Sequence, residues 1–333
     1  MTQNLTPAAF SPDWYRTRLM PPSARCQVVI DTDAANEIDD QFALAWALLS
    51  PQEMAIRAVY AAPFSFAHRQ TTYPMASPDL AAFNAPVVGM QRSFDEIARV
   101  YDKLGVSSQG LIWRGSEVYL PGPGSPVHSD AAHHLIATAR AMPADQPLYV
   151  LALGCLTNIA SALLLAPDIR EKIVVVWTSG FPTHAPHVNR SFNLEQDLYA
   201  SQYVFDCGVP LVYLPGFHVG AQLRLSLAEV DRHVLGKGDM GDYLHGLFTH
   251  NPLWPMLGLT VDGPHSWVIW DLINIAWLLQ PDWVPSGLVG TPRLDDQLCW
   301  QADRSRPLMR EAYGVNRDAI FNDFFRKLQG VRT

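Results

Sequence analysis

The chain has 333 residues, 48% of them hydrophobic, which is enough apolar material for a substantial core in one large domain or two ordinary ones. With 32 acidic against 24 basic residues the net charge is −8 and no Lys/Arg cluster stands out, so neither nucleic acid nor a membrane surface is expected as a partner, and a small molecule is. Cys26, Cys155, Cys207 and Cys299 are far apart and show no CxxC spacing, so they read as reduced core thiols rather than a disulfide framework.

Residues 1–24 read as an irregular arm, followed by a single domain over 25–333. Pro, Asp and Arg interrupt the arm where a signal peptide needs an unbroken apolar run, so a cytoplasmic protein is expected. Residues 26–30 have the length and β-branched content of a buried strand, and residues 41–49 are good helix formers. Between them lies Asp31-Thr32-Asp33-Ala34-Ala35-Asn36-Glu37-Ile38-Asp39-Asp40, a β-to-α connection with five acidic residues in ten positions. Asp31 and Asp33 share a side as the strand runs out. Asp39 and Asp40, adjacent at a helix start, point roughly 100° apart, so one can hold an ion while its neighbour holds something else. A helix N-terminus cannot offset so many carboxylates, whereas a hard cation such as Ca²⁺ can. The plainer alternative is a solvated acidic loop with Asp39 as N-cap.

Residues 55–60 read as a second strand ending in Ala61-Ala62-Pro63-Phe64, and residues 65–85 as a long loop rich in Pro, Ser, Thr and aromatics. Residues 93–104 have helical spacing, with Phe94, Ile97, Tyr101 and Leu104 on one face. A Pro/Gly loop over 115–126 precedes a helix over 130–141, whose His133-His134 pair cannot share one face and reads as structural. Residues 148–153 form a buried strand that turns through Gly154-Cys155-Leu156-Thr157-Asn158 into a helix; residues 173–177 and 210–214 are further strands. The pattern loosens over 236–270, which is either a lid or aromatic surface packing. Residues 271–279 are helical with Asp271 at the start, and the tail shows helical pattern near 319–328 and no motif. Strands alternating with helices predict an α/β fold, an open and mostly parallel mixed sheet flanked by helices, Rossmann-like, with ligands beyond the carboxyl ends of the strands. The acidic turn, Leu153-Gly154 and Gly180 all fall at such ends.

Four ordered blocks now resemble the nucleoside hydrolase family, the inosine-uridine-preferring N-ribohydrolases. The acidic turn is similar to the family's Asp-x-Asp followed by Asp-Asp. Leu153-Gly154-Cys155-Leu156-Thr157-Asn158 resembles its Gly-Pro-Leu-Thr-Asn block, Ser191-Phe192-Asn193 its Glu-Phe-Asn block, and Trp270-Asp271 its C-terminal His-Asp or Trp-Asp pair. The resemblance implies Ca²⁺-dependent hydrolysis of the N-glycosidic bond of a ribonucleoside by a homodimer or homotetramer. It implies Asp33 as metal ligand and general base, Asp40, Asp271 and the Leu153 carbonyl as metal ligands, Asp39 on the ribose 2′-hydroxyl and Asn193 on ribose hydroxyls. Asp31 would support the site from behind.

Three departures bear on the substrate. Five residues, Ala34 to Ile38, separate Asp33 from Asp39 where the family has three, so the turn must bulge and Asn36 or Glu37 enters the site, or else the bulge faces solvent. Ser191 replaces the Glu that grips the 5′-hydroxyl; Asn189, His187 and Ser191 are local substitutes, and the 5′ end is read differently or is modified in the true substrate. Trp270 stands where a His leaving-group acid is common, and an indole face stacks on a base rather than protonating it, which tilts the reading toward purine nucleosides or a modified relative; packing before a helix is its plainer role. Two other readings remain: a catalytically weak nucleoside-binding or sensing protein, and a hydrolase of another ribosyl or phosphoryl compound.

Overall fold

The computed structural model describes residues 10–69, 84–251, 253–259 and 265–330. The first element corrects the expectation of an irregular arm: α1 (Pro12–Arg18) is helical, with the Ser11 side chain accepting from the Trp14 amide and Pro12 at its first turn. At seven residues it is too short for periodicity to reveal, but Tyr15 is buried and donates its hydroxyl to the Gly208 carbonyl at 2.7 Å.

The chain continues through β1 (Cys26–Thr32), α2 (Asp39–Leu48), β2 (Met54–Ala61), α3 (Pro86–Lys103), β3 (Ile112–Arg114), α4 (Asp130–Ala141), β4 (Leu148–Ala152) and α5 (Thr157–Leu165). It proceeds through β5 (Ile173–Ser179), α6 (Phe192–Glu195), α7 (Leu198–Asp206), β6 (Leu211–Pro215), β7 (Arg224–Ser226), α8 (Leu227–His233), α9 (Gly238–Thr249) and β8 (Ser266–Val268). The last elements are α10 (Leu272–Leu279), β9 (Ser286–Gly290), β10 (Arg293–Leu294), β11 (Trp300–Gln301), β12 (Leu308–Ala312) and α11 (Arg317–Gln329). Among the described residues no helix is long and apolar enough to cross a membrane.

The main sheet has eight strands in the order β3-β2-β1-β4-β5-β6-β12-β9. All neighbours pair parallel except β9, which runs antiparallel to β12 at the edge, so the sheet is mixed as expected. Strand order reverses between β1 and β4, where a crevice opens at the carboxyl ends. Alternation along the strands feeds two cores: Val28, Ile30, Leu151 and Val176 pack toward α2, α10 and α11, whereas Val29, Val150, Val175 and Trp177 pack toward α4, α5 and α7. The interior strands are buried on both faces, which is why they read as continuous apolar runs.

Among the elements hidden in the sequence, α9, β12 and β9 show why. Helix α9 occupies the stretch that looked loose, because Gly238, Gly241 and Gly246 depress its helical signal; Gly241 is required where a Cβ would lie 2.4 Å from the Val234 carbonyl. Strand β12 carries Arg310 and Glu311 inside the sheet. Their charges are met by the carbonyls of Leu19 and Ser286 and by the amide and hydroxyl of Thr183, so polar residues occupy a strand without a cost that sequence pattern reveals. Its edge partner β9 is short, half-buried and bounded by glycine.

Helix α10 is tethered to the sheet by Asn274, a buried side chain whose amide donates to the carbonyls of Ala152 (3.2 Å) and Val176 (3.0 Å) and whose oxygen accepts from the Thr178 hydroxyl. Replacing Asn274 with alanine is expected to lower unfolding free energy by roughly 2–4 kcal/mol, because three buried polar partners lose their bonds at once. Urea denaturation checks this, and a loss below roughly 0.5 kcal/mol would show that the tether is dispensable.

Candidate active site

The acidic turn begins inside the sheet. Asp31 is fully buried in β1; one oxygen accepts from Asn158 Nδ2 at 2.8 Å, and Asn158 Oδ1 in turn accepts from the Ser116 amide at 2.7 Å. Burial pushes the Asp31 pKa up to about 7, opposed by the Asn158 bond. Asp31 stands behind the cavity rather than in its wall. Asp33, one residue beyond the strand, does line the cavity and accepts from Asn36 Nδ2 at 3.2 Å. Gly154 makes room for it, since a Cβ there would fall 2.7 Å from Asp33 Oδ1.

Asp39 and Asp40 open α2, and Asp271 opens α10 from the far end of the chain. Carboxylate oxygens of these three buried residues lie within 4.8 Å of one another. The Thr32 hydroxyl donates to Asp40. Burial raises the pKa of each: that of Asp40 to about 6, eased by Thr32, and those of Asp39 and Asp271 well above the ordinary range, pushed further by neighbouring carboxylates. Asp33 is raised by burial first and by Asp40 second. Hard oxygen donors crowded in this way, out of water, suit a divalent cation. The Leu153 carbonyl also lines the cavity; it accepts from Asn193 Nδ2 and keeps a second lone pair.

The five-residue bulge turns inward. Ala34 and Ile38 are core residues, Gln41 donates to the Ala34 carbonyl, and Asn36 and Glu37 both line the cavity. Glu37 accepts from the indole N–H of Trp267 at 2.7 Å. Burial lifts its pKa to about 7, while hydrogen bonding from Trp267 and Trp270 works against the rise. A carboxylate thus fastens the Trp267 indole to the wall that Trp270 also lines, a role visible only once β8 is folded against β7.

The cavity encloses about 400 Å³, within the usual range for a small-molecule site. One wall is polar, with Asn193, Ser179 and Ser191; the two serine hydroxyls share a hydrogen bond at 2.7 Å. Its other walls are aromatic: Phe66 stacks on Phe192 at 4.2 Å, and Phe217 meets Trp270 edge-on at 6.0 Å. Trp270 lines the cavity while its ring packs close to Gly216 and Gly220. Asn189 is turned away: its oxygen accepts from the Phe181 amide at 2.7 Å and its nitrogen donates to the Leu298 carbonyl at 2.9 Å, so it braces a loop outside the cavity wall. His187 packs on Phe181 at 4.5 Å and does not line the cavity either.

Of the long loop, residues 65–69 and 84–85 lie within the described part, and Phe66 and Arg69 reach the cavity; residues 70–83 fall outside it. Leu253, Met256, Leu257 and Leu259 from the loose stretch also line the wall. His134, read as structural, stacks on Trp113 at 4.2 Å and bonds the Tyr60 hydroxyl at 2.9 Å, away from the site.

The profile of the family described as inosine-uridine preferring nucleoside hydrolase matches residues 28–319. This chain belongs to that family. As a nucleoside hydrolase it is an N-glycosyl hydrolase by class. It is 28% identical to the non-specific ribonucleoside hydrolase RihC of Shigella flexneri serotype 5b over 78% of this chain and 80% of that one. It is 27% identical to a probable uridine nucleosidase 2 of Arabidopsis thaliana over 66% and 68%. The fold matches a purine-preferring ribonucleoside hydrolase from Gardnerella vaginalis with a TM-score of 0.69 at 19% identity, covering 92% of this chain and 98% of the other.

The acidic cluster of this nucleoside hydrolase couples stability to pH. Burial raises these pKa values above those of the unfolded chain, so in the metal-free protein the cluster favours the folded state most at low pH. That contribution declines as pH rises from the ordinary carboxylate value near about 4 through the folded values, about 6 for Asp40 and about 7 for Asp31 and Glu37. A cation binds the ionised cluster, so adding divalent metal is expected to raise the melting temperature more at about pH 7.5 than at about pH 5. Differential scanning fluorimetry checks this, and equal shifts at both pH values would disconnect the cluster from metal.

Proposed function

We propose that the protein hydrolyses the N-glycosidic bond of a purine ribonucleoside, releasing ribose and the free base, with Ca²⁺ as its metal. The observation that carries this reading is the buried Asp39, Asp40 and Asp271 trio beside Asp33, at one end of an aromatic-walled cavity in a nucleoside hydrolase.

Asp40, Asp271 and the Leu153 carbonyl would hold the cation, with Asp39 and Asp33 beside them. When bound, Ca²⁺ supplies a lowered pKa for a neighbouring water and a grip on sugar hydroxyls. Asp33 takes the proton of the attacking water as its oxygen bonds to C1′. The C1′–N bond breaks and its electron pair leaves with the base. Asp39 accepts from the ribose 2′-hydroxyl, and Asn193, Ser179 and Ser191 offer polar contacts along the remainder of the sugar. Holding the ribose hydroxyls against fixed carboxylates aligns C1′ with the water, which accounts for much of the catalysis such a site delivers. Trp270 and Phe217 surround the base, and the Glu37 carboxylate fixes the indole of Trp267 beside them. Two indoles offer more stacking area to a bicyclic base than to a monocyclic one, which supports the purine preference.

Asp33→Asn is expected to lower nucleoside hydrolysis by at least about 10³-fold while leaving the circular dichroism spectrum and a cooperative melting transition in place. Reducing-sugar release from a nucleoside panel measures it; substantial residual turnover would remove Asp33 from the base role. Trp270→Ala is expected to raise KM for purine nucleosides by about tenfold or more and for uridine by less. An equal rise for both would assign Trp270 to packing.

A further inference from the structure

Beside Ser191 the cavity wall also carries arginines. Arg69 and Arg190 both line it. The Arg69 guanidinium pairs with Glu195, donates to the Arg190 backbone carbonyl at 2.9 Å and lies over the Phe192 ring at 5.3 Å. Glu195 also meets His68 Nε2 at 3.0 Å. Arg190 is exposed, and among the described residues its side chain forms no hydrogen bond or ion pair. A guanidinium offers several donors in a planar fork that matches phosphate, and here one stands at a cavity wall uncommitted.

The same cavity holds Asp33, Asp39, Asp40 and Asp271, which repel an anion. Of the three arginines that line it, Arg69 pairs with Glu195 and Arg224 donates to the Ser266 hydroxyl at 3.2 Å, so Arg190, next to Ser191 in the chain, is the guanidinium open to an anionic substituent. Ser191 lines the cavity with its hydroxyl bonded to Ser179. A carboxylate at position 191 would meet a phosphate with like charge, whereas this serine meets it with a hydroxyl. The serine and the adjacent guanidinium act in the same sense.

We infer that the substrate carries a phosphate group on the 5′ side of its ribose, bound by Arg190 with Arg69 beside it, so that the preferred substrate is a nucleoside 5′-phosphate or a larger phosphate ester of the same kind. This deepens the ribonucleoside reading and rests on it. Isothermal titration of the full-length protein, with divalent metal present, compares ribose with ribose 5-phosphate. Ribose 5-phosphate is expected to bind at least about tenfold more tightly, and Arg190→Ala and Arg190→Glu are each expected to bring the ratio of the two affinities close to one. Melting curves of the two variants show that they remain folded. Equal binding of the two sugars, binding of neither, or a preference for the phosphate that both variants leave intact would overturn the inference. Ribose release from unphosphorylated nucleosides, assayed separately, tests the hydrolase reading: cleavage without any phosphate preference removes this inference and leaves that reading standing.

Discussion

Mutual repulsion among buried carboxylates is the constraint that the architecture has to satisfy. At separations of at most 4.8 Å and an effective dielectric of about 20, each fully ionised pair costs roughly 3–4 kcal/mol or more. Three such pairs cost about as much as the whole net stability of an ordinary domain, roughly 5–15 kcal/mol. Asp39, Asp40 and Asp271 cannot all remain ionised together without a counter-charge, and the raised pKa values express this. Every element that meets at this point is accordingly braced: Thr32 on Asp40, Asn158 on Asp31, Asn274 holding α10 to the strand ends. The rigidity exists because the charges do.

What sequence reasoning could reach followed local pattern. The interior strands read as apolar runs because both their faces are covered, and α4 was bounded correctly at residues 130–141 because Ser129 caps it and its apolar face is regular. The acidic turn was legible from its density of charge. Asp271, over 230 residues away in sequence, was reachable only through the order of family motifs, since nothing local distinguishes it from any N-terminal helix residue. The same limit hid β12, whose arginine and glutamate look like surface residues until Leu19 and Thr183 are brought against them. Asn189 illustrates the reverse: its residue type suited a ligand contact, but both ends of its amide are spent on backbone groups.

The bulge from Ala34 to Ile38 departs most from its family and was open to two readings, solvent or site. Two of its three apolar members decide the matter physically. Ala34 and Ile38 bury completely, and that forces the polar residues between them into the cavity. Glu37 is thereby delivered to Trp267, joining an acidic turn to an aromatic wall contributed by residues far downstream. The residues of the bulge thus enter the composition of a cavity wall, while the carboxylates on either side of it meet the same crevice.

The strand order also sets when the molecule can become complete. Strand β12 lies between β6 and β9, and Asp271 comes from beyond residue 270, so both the sheet and the acidic trio are closed by the last fifth of the chain. A nascent chain emerging from the ribosome carries the acidic turn from its first forty residues onward, yet it lacks the third carboxylate, the Asn274 tether and the strand that covers β6. During most of synthesis this nucleoside hydrolase therefore has no finished metal site, and its sheet has an open edge at β6 until the C-terminal segment arrives.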